Sequence, residues 1–209
     1  IFVCVARHIG LALAKSGISV NKKVAFGFGC TTASDIRLHY FAAKDYEKDW
    51  FSGGIRRVNN SVGDNVEIMI CDVQSYITCM HYMLAFNKAE NIITFWDEPT
   101  ITLDYETHPL HEVIHNNWKH NLIPNMVLSC ATLPDVQEMN GILSDFQDKF
   151  VDYENMADIF HISSYDCKKS ISLLNKDGYN ELPHYLFENN SDLKTCASYC
   201  ESNKSLLRY

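Results

Sequence analysis

The chain has 209 residues, 46% of them apolar, 12% aromatic and 21% charged, enough to bury a core and to exclude a disordered, collagen-like or low-complexity protein. Its formal net charge of −8 weighs against broad electrostatic adhesion to nucleic acid, despite local basic pairs at Lys22-Lys23, Arg56-Arg57 and Lys168-Lys169. No run approaches the ~18 apolar residues of a helical membrane span and no basic-then-apolar leader opens the chain, so the expectation is a soluble intracellular protein without a membrane partner.

A buried strand is predicted over 1–6, then a helix over 7–17 ending near Gly17. Val24-Ala25-Phe26-Gly27-Phe28 reads as a second strand. Ser34-Asp35 then reads as the N-cap of a helix through Arg37, Tyr40 and Phe41. Residues 44–65, with Ser52-Gly53-Gly54 and Asn59-Asn60-Ser61, read as loop or hairpin. Strand 66–71 is followed by a helix over 74–86, strand 92–96 by a helix over 109–120, and strand 125–129 by a helix from Asp135 to Phe150. A strand near Ile159-Phe160-His161-Ile162 completes the alternation, which is the pattern of a parallel sheet covered by helices. Beyond Ser164 the sequence is polar and Asn-rich, with a turn at Asp177-Gly178 and helices expected at 165–174 and 192–203. The expected division is therefore 1–163 and 164–209.

The eight cysteines lie scattered, several inside apolar runs (Cys4, Cys71, Cys130), and read as reduced thiols in a reducing compartment. Cys196 and Cys200 form a C-x3-C with no second pair at zinc-ligand spacing. The chain opens and closes on apolar segments, Ile1-Phe2-Val3-Cys4-Val5 and Leu206-Leu207-Arg208-Tyr209, and reads as a fragment. Its richness in Ile, Asn, Lys and Tyr suggests an A/T-rich genome.

The strongest chemical signal is the apolar strand ending in Asp97-Glu98. At the carboxyl end of a parallel strand the first acid can hold Mg2+, through water, and the second can orient or deprotonate an attacking water, as in a Walker B arrangement. The bland alternative is two acids opening the next helix, where its dipole favours them. A second strand-end segment, Val127-Leu128-Ser129-Cys130-Ala131-Thr132-Leu133-Pro134, follows after one helix and one strand.

Together, Asp97-Glu98-Pro99-Thr100 and Cys130-Ala131-Thr132 resemble motifs II and III of superfamily 2 helicases, the DEAD-box and DExH kind. The chain looks most like the helicase-like proteins of giant DNA viruses, and the resemblance covers residues 1–150 or so. Ala6-Arg7-His8 lies where that family has motif Ia, with Arg7 matching a nucleic-acid-contacting arginine and His8 beside it. Gly53-Gly54 resembles the family's glycine doublet, a second nucleic-acid contact, and Cys71-Asp72-Val73-Gln74 sits where motif Ib would be. The resemblance implies a RecA-like P-loop NTPase fold, an N-terminally truncated first domain over 1–163, and a tail leading toward a missing second domain. It also implies ATP and Mg2+ as cofactors, RNA or DNA as partner, and a location in the cytoplasm or in a viral factory or virion. Asp97 and Glu98 would be catalytic, and Cys130, Ala131 and Thr132 would couple hydrolysis to strand movement.

Three departures matter. Thr100 replaces the last Asp or His of the box, leaving only a hydroxyl to reach motif III, and Cys130 replaces a serine, a good donor, with a weak one. No G-x4-G-K-[ST] phosphate loop occurs, and Gly27-Phe28-Gly29 is neither that loop nor a full G-x-G-x-x-G. In this family the loop precedes motif Ia, so it is expected upstream of Ile1, and the 209 residues alone are expected not to hydrolyse ATP.

Rival readings remain. Asp97 to Asp104 with Phe51-Ser52-Gly53-Gly54 also resembles the Walker B, D-loop and signature of ABC transporter ATPases, although that family joins signature to Walker B through one helix. His111-Glu112-Val113-Ile114-His115 matches H-E-x-x-H, with Trp118 and Asn121 where an extended zinc motif needs Gly and His and Glu138 as a distant third ligand. A third possibility is a helicase-derived domain that binds nucleic acid or a partner without hydrolysing ATP.

Overall fold

The computed structural model describes residues 1–102, 105–131, 133–151, 157–162, 173–174, 176–177, 180–182 and 189–202. Apolar runs and helical segments alternate as the sequence predicts. β1 (Phe2–Cys4) leads into α1 (Arg7–Ser19), and β2 (Val24–Gly27) into a 3-10 turn at Ala33–Asp35 and the short β3 (Arg37–Leu38). β4 (Tyr46–Lys48) and β5 (Ile55–Val58) pair as a separate antiparallel hairpin. Then come β6 (Ile68–Asp72), α2 (Tyr76–Leu84), β7 (Ile93–Asp97), α3 (Pro109–His120), β8 (Asn125–Ser129) and α4 (Asn140–Lys149). These lie in one compact unit, Ile1–Ile159. A second unit, Phe160–Tyr209, contains β9 (Leu173–Leu174) paired antiparallel with β10 (Asn180–Leu182), and α5 (Asn190–Ser202). Among the described residues no helix is long and apolar enough to cross a membrane.

The six-stranded sheet has the order β3-β2-β6-β1-β7-β8, parallel throughout except for β3, which pairs antiparallel with β2. The fold is therefore α/β, a mainly parallel sheet flanked by helices. The chain moves from β1 to β2 in one direction and from β6 through β7 to β8 in the other. Right-handed crossovers place the connecting helices of opposite directions on opposite faces. On one face α1 packs against β1, β6 and β2, with Ala14 buried against Val24 and Ile70. On the other, α2 supplies Tyr76, Cys79, Met80 and Met83 to a larger core with Val3, Ala25, Met69, Cys71 and Trp96. Strands buried on both faces need continuous apolar runs, which is how β1, β2 and β6 read.

A buried polar network ties the second face together. The Tyr76 hydroxyl donates to Asn121 Oδ1 (2.7 Å) and lies 3.2 Å from Thr94 Oγ1, while Asn121 Nδ2 donates to the Ile123 carbonyl (2.8 Å). It joins α2, the middle of β7 and the end of α3. Burial pushes the Tyr76 phenol up to about 12, so the hydroxyl keeps its proton and its donor role.

On the α1 face the last two strands are uncovered. Phe2 stacks on Phe95 at 5.7 Å, and Ile93 (59% exposed), Phe95 and Val127 face outward. β8 ends the sheet, its outer edge unpaired among the described residues.

Four predicted elements differ. The helix expected from Ser34 to Phe41 is a single 3-10 turn followed by β3. The Asp35 carboxylate accepts from the amides of Thr31 (3.1 Å) and Thr32 (2.9 Å), closing one turn, and buried Ile36 then directs the chain into an edge strand. The helix expected from Asp135 begins at Asn140, because Glu138 Oε2 accepts the Asp135 amide (3.1 Å) in a preceding turn. Residues 159–162 form no strand, and Phe160 and Ile162 are exposed. An apolar run becomes a strand only where a partner edge exists. The helix predicted over 165–174 falls largely outside the described residues, and Leu173–Leu174 is a strand.

Candidate functional site at the carboxyl ends of the strands

Open parallel sheets bind ligands beyond the carboxyl ends of their strands, at the place where successive connections diverge. That place lies between β1, whose chain leaves toward β2, and β7, whose chain leaves toward β8. Asp97 is the last residue of β7 and is half-buried. Burial, and secondarily the charge of Glu98, push its carboxyl above the ordinary range.

Glu98 follows with φ +52°, a left-handed backbone that L-residues rarely adopt. Among the described residues the other non-glycine residue of this kind, Asn21, ends α1, where such a conformation is routine. No helix end explains Glu98. It is held by its neighbour strand. β7 and β8 are parallel with Asp97 opposite Ser129, and the Glu98 amide donates to the Ser129 carbonyl (2.8 Å). The Cys130 thiol donates to Glu98 Oε2 (3.3 Å) and lies 2.8 Å from Thr100 Oγ1. The Thr100 hydroxyl is thus in contact with the second segment. Ala131 is exposed in the following turn, and Thr132 lies outside the described residues.

The remaining strand ends complete the rim. Asp72, at the end of β6, accepts from the Gly29 amide (Oδ2, 2.6 Å) and the Ser75 amide (Oδ1, 2.8 Å), and the Ser75 hydroxyl accepts from the Cys30 amide (2.8 Å). Asp72 therefore clamps the loop after β2 onto the start of α2. From sequence it occupied a motif position with no assigned chemistry; its signal was an acid at a strand end four residues before a helix. Buried Cys4, at the end of β1, has its thiol pushed up by burial and, less strongly, by Asp97 and Asp72. Arg7 and His8 open α1 at this same end and are exposed, and the Arg7 guanidinium lies over the Phe28 ring at 5.3 Å.

Other predicted residues are not brought here. Gly53, with φ +67°, and Gly54 form the turn of the β4–β5 hairpin rather than the strand-end rim. Phe51-Ser52 shares that turn, with β5, β6 and α2 between it and β7, so the ABC-like spacing finds no single connecting helix. In the H-E-x-x-H segment, His111 Nε2 is bonded to the Thr102 carbonyl (2.7 Å) and His115 is exposed. Glu138 caps the Asp135 amide, and among the described residues no group of three or more His, Cys, Asp or Glu is placed to hold a metal.

Two adjacent carboxylates without a third ligand do not make a resident metal cage. They do suit Mg2+, a hard cation held by one or two carboxylates together with substrate phosphates. Asp97 fits in a further respect, since a carboxyl made uncomfortable by burial and a like charge is relieved by a cation. Comparison with protein-family models finds no match, and neither do comparisons with curated proteins and with solved structures.

Proposed function

We propose that the unit Ile1–Ile159 is part of the first RecA-like domain of an ATP-dependent nucleic-acid helicase or translocase, whose parent protein hydrolyses ATP with Mg2+. The observation that carries this is Glu98: a strained, left-handed acid at the divergence point of the sheet, bonded through Cys130 and Ser129 to the neighbouring strand. Strain of this kind persists where surrounding structure over-determines it, and functional sites are where it collects. Mg2+ arriving with the triphosphate would neutralise charge on the transferring phosphoryl group. Asp97 would hold that ion, Glu98 would orient the attacking water, and Cys130 and Thr100 would keep the Glu98 carboxylate in place. Arg7, His8 and the Gly53-Gly54 turn would face RNA or DNA.

The uncovered part of the sheet supports the same reading. A strand–loop–helix unit feeding β1 from beyond β8 would move in the same direction as the β1-to-β2 crossover. Right-handedness would then lay its helix on the α1 face, over Ile93, Phe95 and Val127, with its strand on the open edge of β8. Its loop would meet Asp97 at the carboxyl ends, where a phosphate cradle is needed.

A domain that binds without hydrolysing is the second reading, favoured by one observation: the donor to the Glu98 carboxylate from the residue after β8 is a thiol, a weak donor. The parent protein decides between them. Its reading frame is expected to encode G-x4-G-K-[ST] shortly before Ile1, and Glu98→Gln is expected to lower its ATPase rate about 100-fold or more. Unchanged hydrolysis in that variant, or a parent with no such loop, would overturn the enzyme.

A further inference from the structure

Resting on the nucleic-acid reading above, we propose that the β4–β5 hairpin is a contact for single-stranded nucleic acid, with bases stacking on Trp50 and Phe51 and phosphates meeting Lys48, Arg56 and Arg57. Trp50 is 94% and Phe51 99% exposed, the highest values among the large apolar side chains described. Neither ring serves the fold. The turn that carries them is built without them: Asp49 Oδ1 accepts from the amides of Phe51 (2.9 Å) and Ser52 (2.8 Å). The Asp49 amide donates to the Gly54 carbonyl (2.8 Å), and the Gly53 amide donates back to the Asp49 carbonyl (3.0 Å). The Ser52 and Phe51 amides hold the Asp49 carboxyl below its ordinary range, so it serves the turn as an anion. Two rings on a pre-ordered turn lose little further freedom when they bind.

The charge around the rings favours a polyanion. Lys44, Lys48, Arg56 and Arg57 outnumber Asp45, Glu47 and Asp49, within a chain whose net charge is −8. Lys48, Arg56 and Arg57 are exposed, and among the described residues none of them is in a salt bridge. Aromatic platforms beside cations are how single strands are held without sequence preference, because every base has a face to stack. A bilayer would engage a wide surface of this acidic chain and be repelled, whereas a single strand follows a narrow track.

Trp50 supplies its own probe, because of the three tryptophans Trp96 is buried and Trp118 half-buried. The 209-residue chain is titrated with an oligothymidylate and an oligouridylate of about twelve residues, without nucleotide, reading tryptophan emission. Quenching is expected at about 50 mM salt and weaker binding at about 200 mM. The double variant Trp50→Ala, Phe51→Ala, followed by anisotropy of a labelled oligonucleotide, should bind roughly 10-fold more weakly or worse, with an unchanged melting temperature. Arg56→Gln with Arg57→Gln should flatten the dependence on salt. Binding unchanged in the aromatic double variant would overturn the hairpin contact while leaving nucleic-acid binding elsewhere intact. No oligonucleotide binding at low salt would overturn it too, and so would a blue shift with phosphatidylserine vesicles in place of quenching. Because the assay contains no ATP, its failure leaves hydrolysis by the parent to be judged separately, and an inactive parent leaves the hairpin contact standing.

Discussion

Glu98 holds a backbone conformation that opposes stability. Its φ of +52° puts Cβ against the carbonyl, which costs an L-residue roughly 1–2 kcal/mol. Glycine escapes that cost, although it loses more freedom on folding, by about 0.5–1 kcal/mol. Glu98→Gly is therefore expected to hold or raise the melting temperature, by up to about 4 °C, while removing the group proposed to orient water. Glu98→Gln keeps the strain and should melt like the parent sequence. Thermal denaturation of both variants separates the two effects, and a marked fall for Glu98→Gly would show that the backbone there is not strained. The Asp97 carboxyl beside it is pushed up by burial and by Glu98.

At the scale of elements, the site depends on how tightly α2 lies on the sheet. Gly27, the last residue of β2, leaves room for Cys79 of α2: a Cβ placed at Gly27 would sit 2.0 Å from Cys79 Sγ. Gly27→Ala must therefore displace the Cys79 side chain or push α2 outward, at about 1–3 kcal/mol. Cys79→Ala in the same chain removes the offending sulfur and should restore most of the loss, since the nearest remaining atoms, Cys71 Cβ at 3.4 Å and Cys79 Cβ at 3.7 Å, lie at ordinary van der Waals distance. A double-mutant cycle by urea denaturation measures this; two additive losses would mean that the clash is not the cause. The same helix start is fixed by Asp72, which bonds the Gly29 and Ser75 amides, so the loops at the ends of β2 and β6 move as one piece.

For the whole molecule, both apolar clusters lie entirely within the unit Ile1–Ile159, one on each face of the sheet. A chain ending at Ile159 contains every side chain of those clusters and should unfold in a single cooperative transition. Far-UV circular dichroism against temperature tests this, and a sloping, non-cooperative loss of signal would refute it. The sheet order also sets the function proposed. Because β7 and β8 run side by side in register, the acid pair and Ser129-Cys130, separated by a helix and a strand in sequence, become neighbours.

Hydrophobic period and turn chemistry, read along the chain, determined the alternation of strands and helices and placed α3 and β8 at their observed limits. They also located Asp97-Glu98 at a strand end. These features are local: a few consecutive residues decide their own conformation. Strand order, the left-handed backbone of Glu98 and the clamp made by Asp72 were decided by the tertiary structure, since each depends on which distant segment lies alongside. So were the failure of Ser34–Phe41 to continue as a helix and the full exposure of Trp50 and Phe51. A sequence window records that a residue is apolar; only the packed fold determines whether anything covers it.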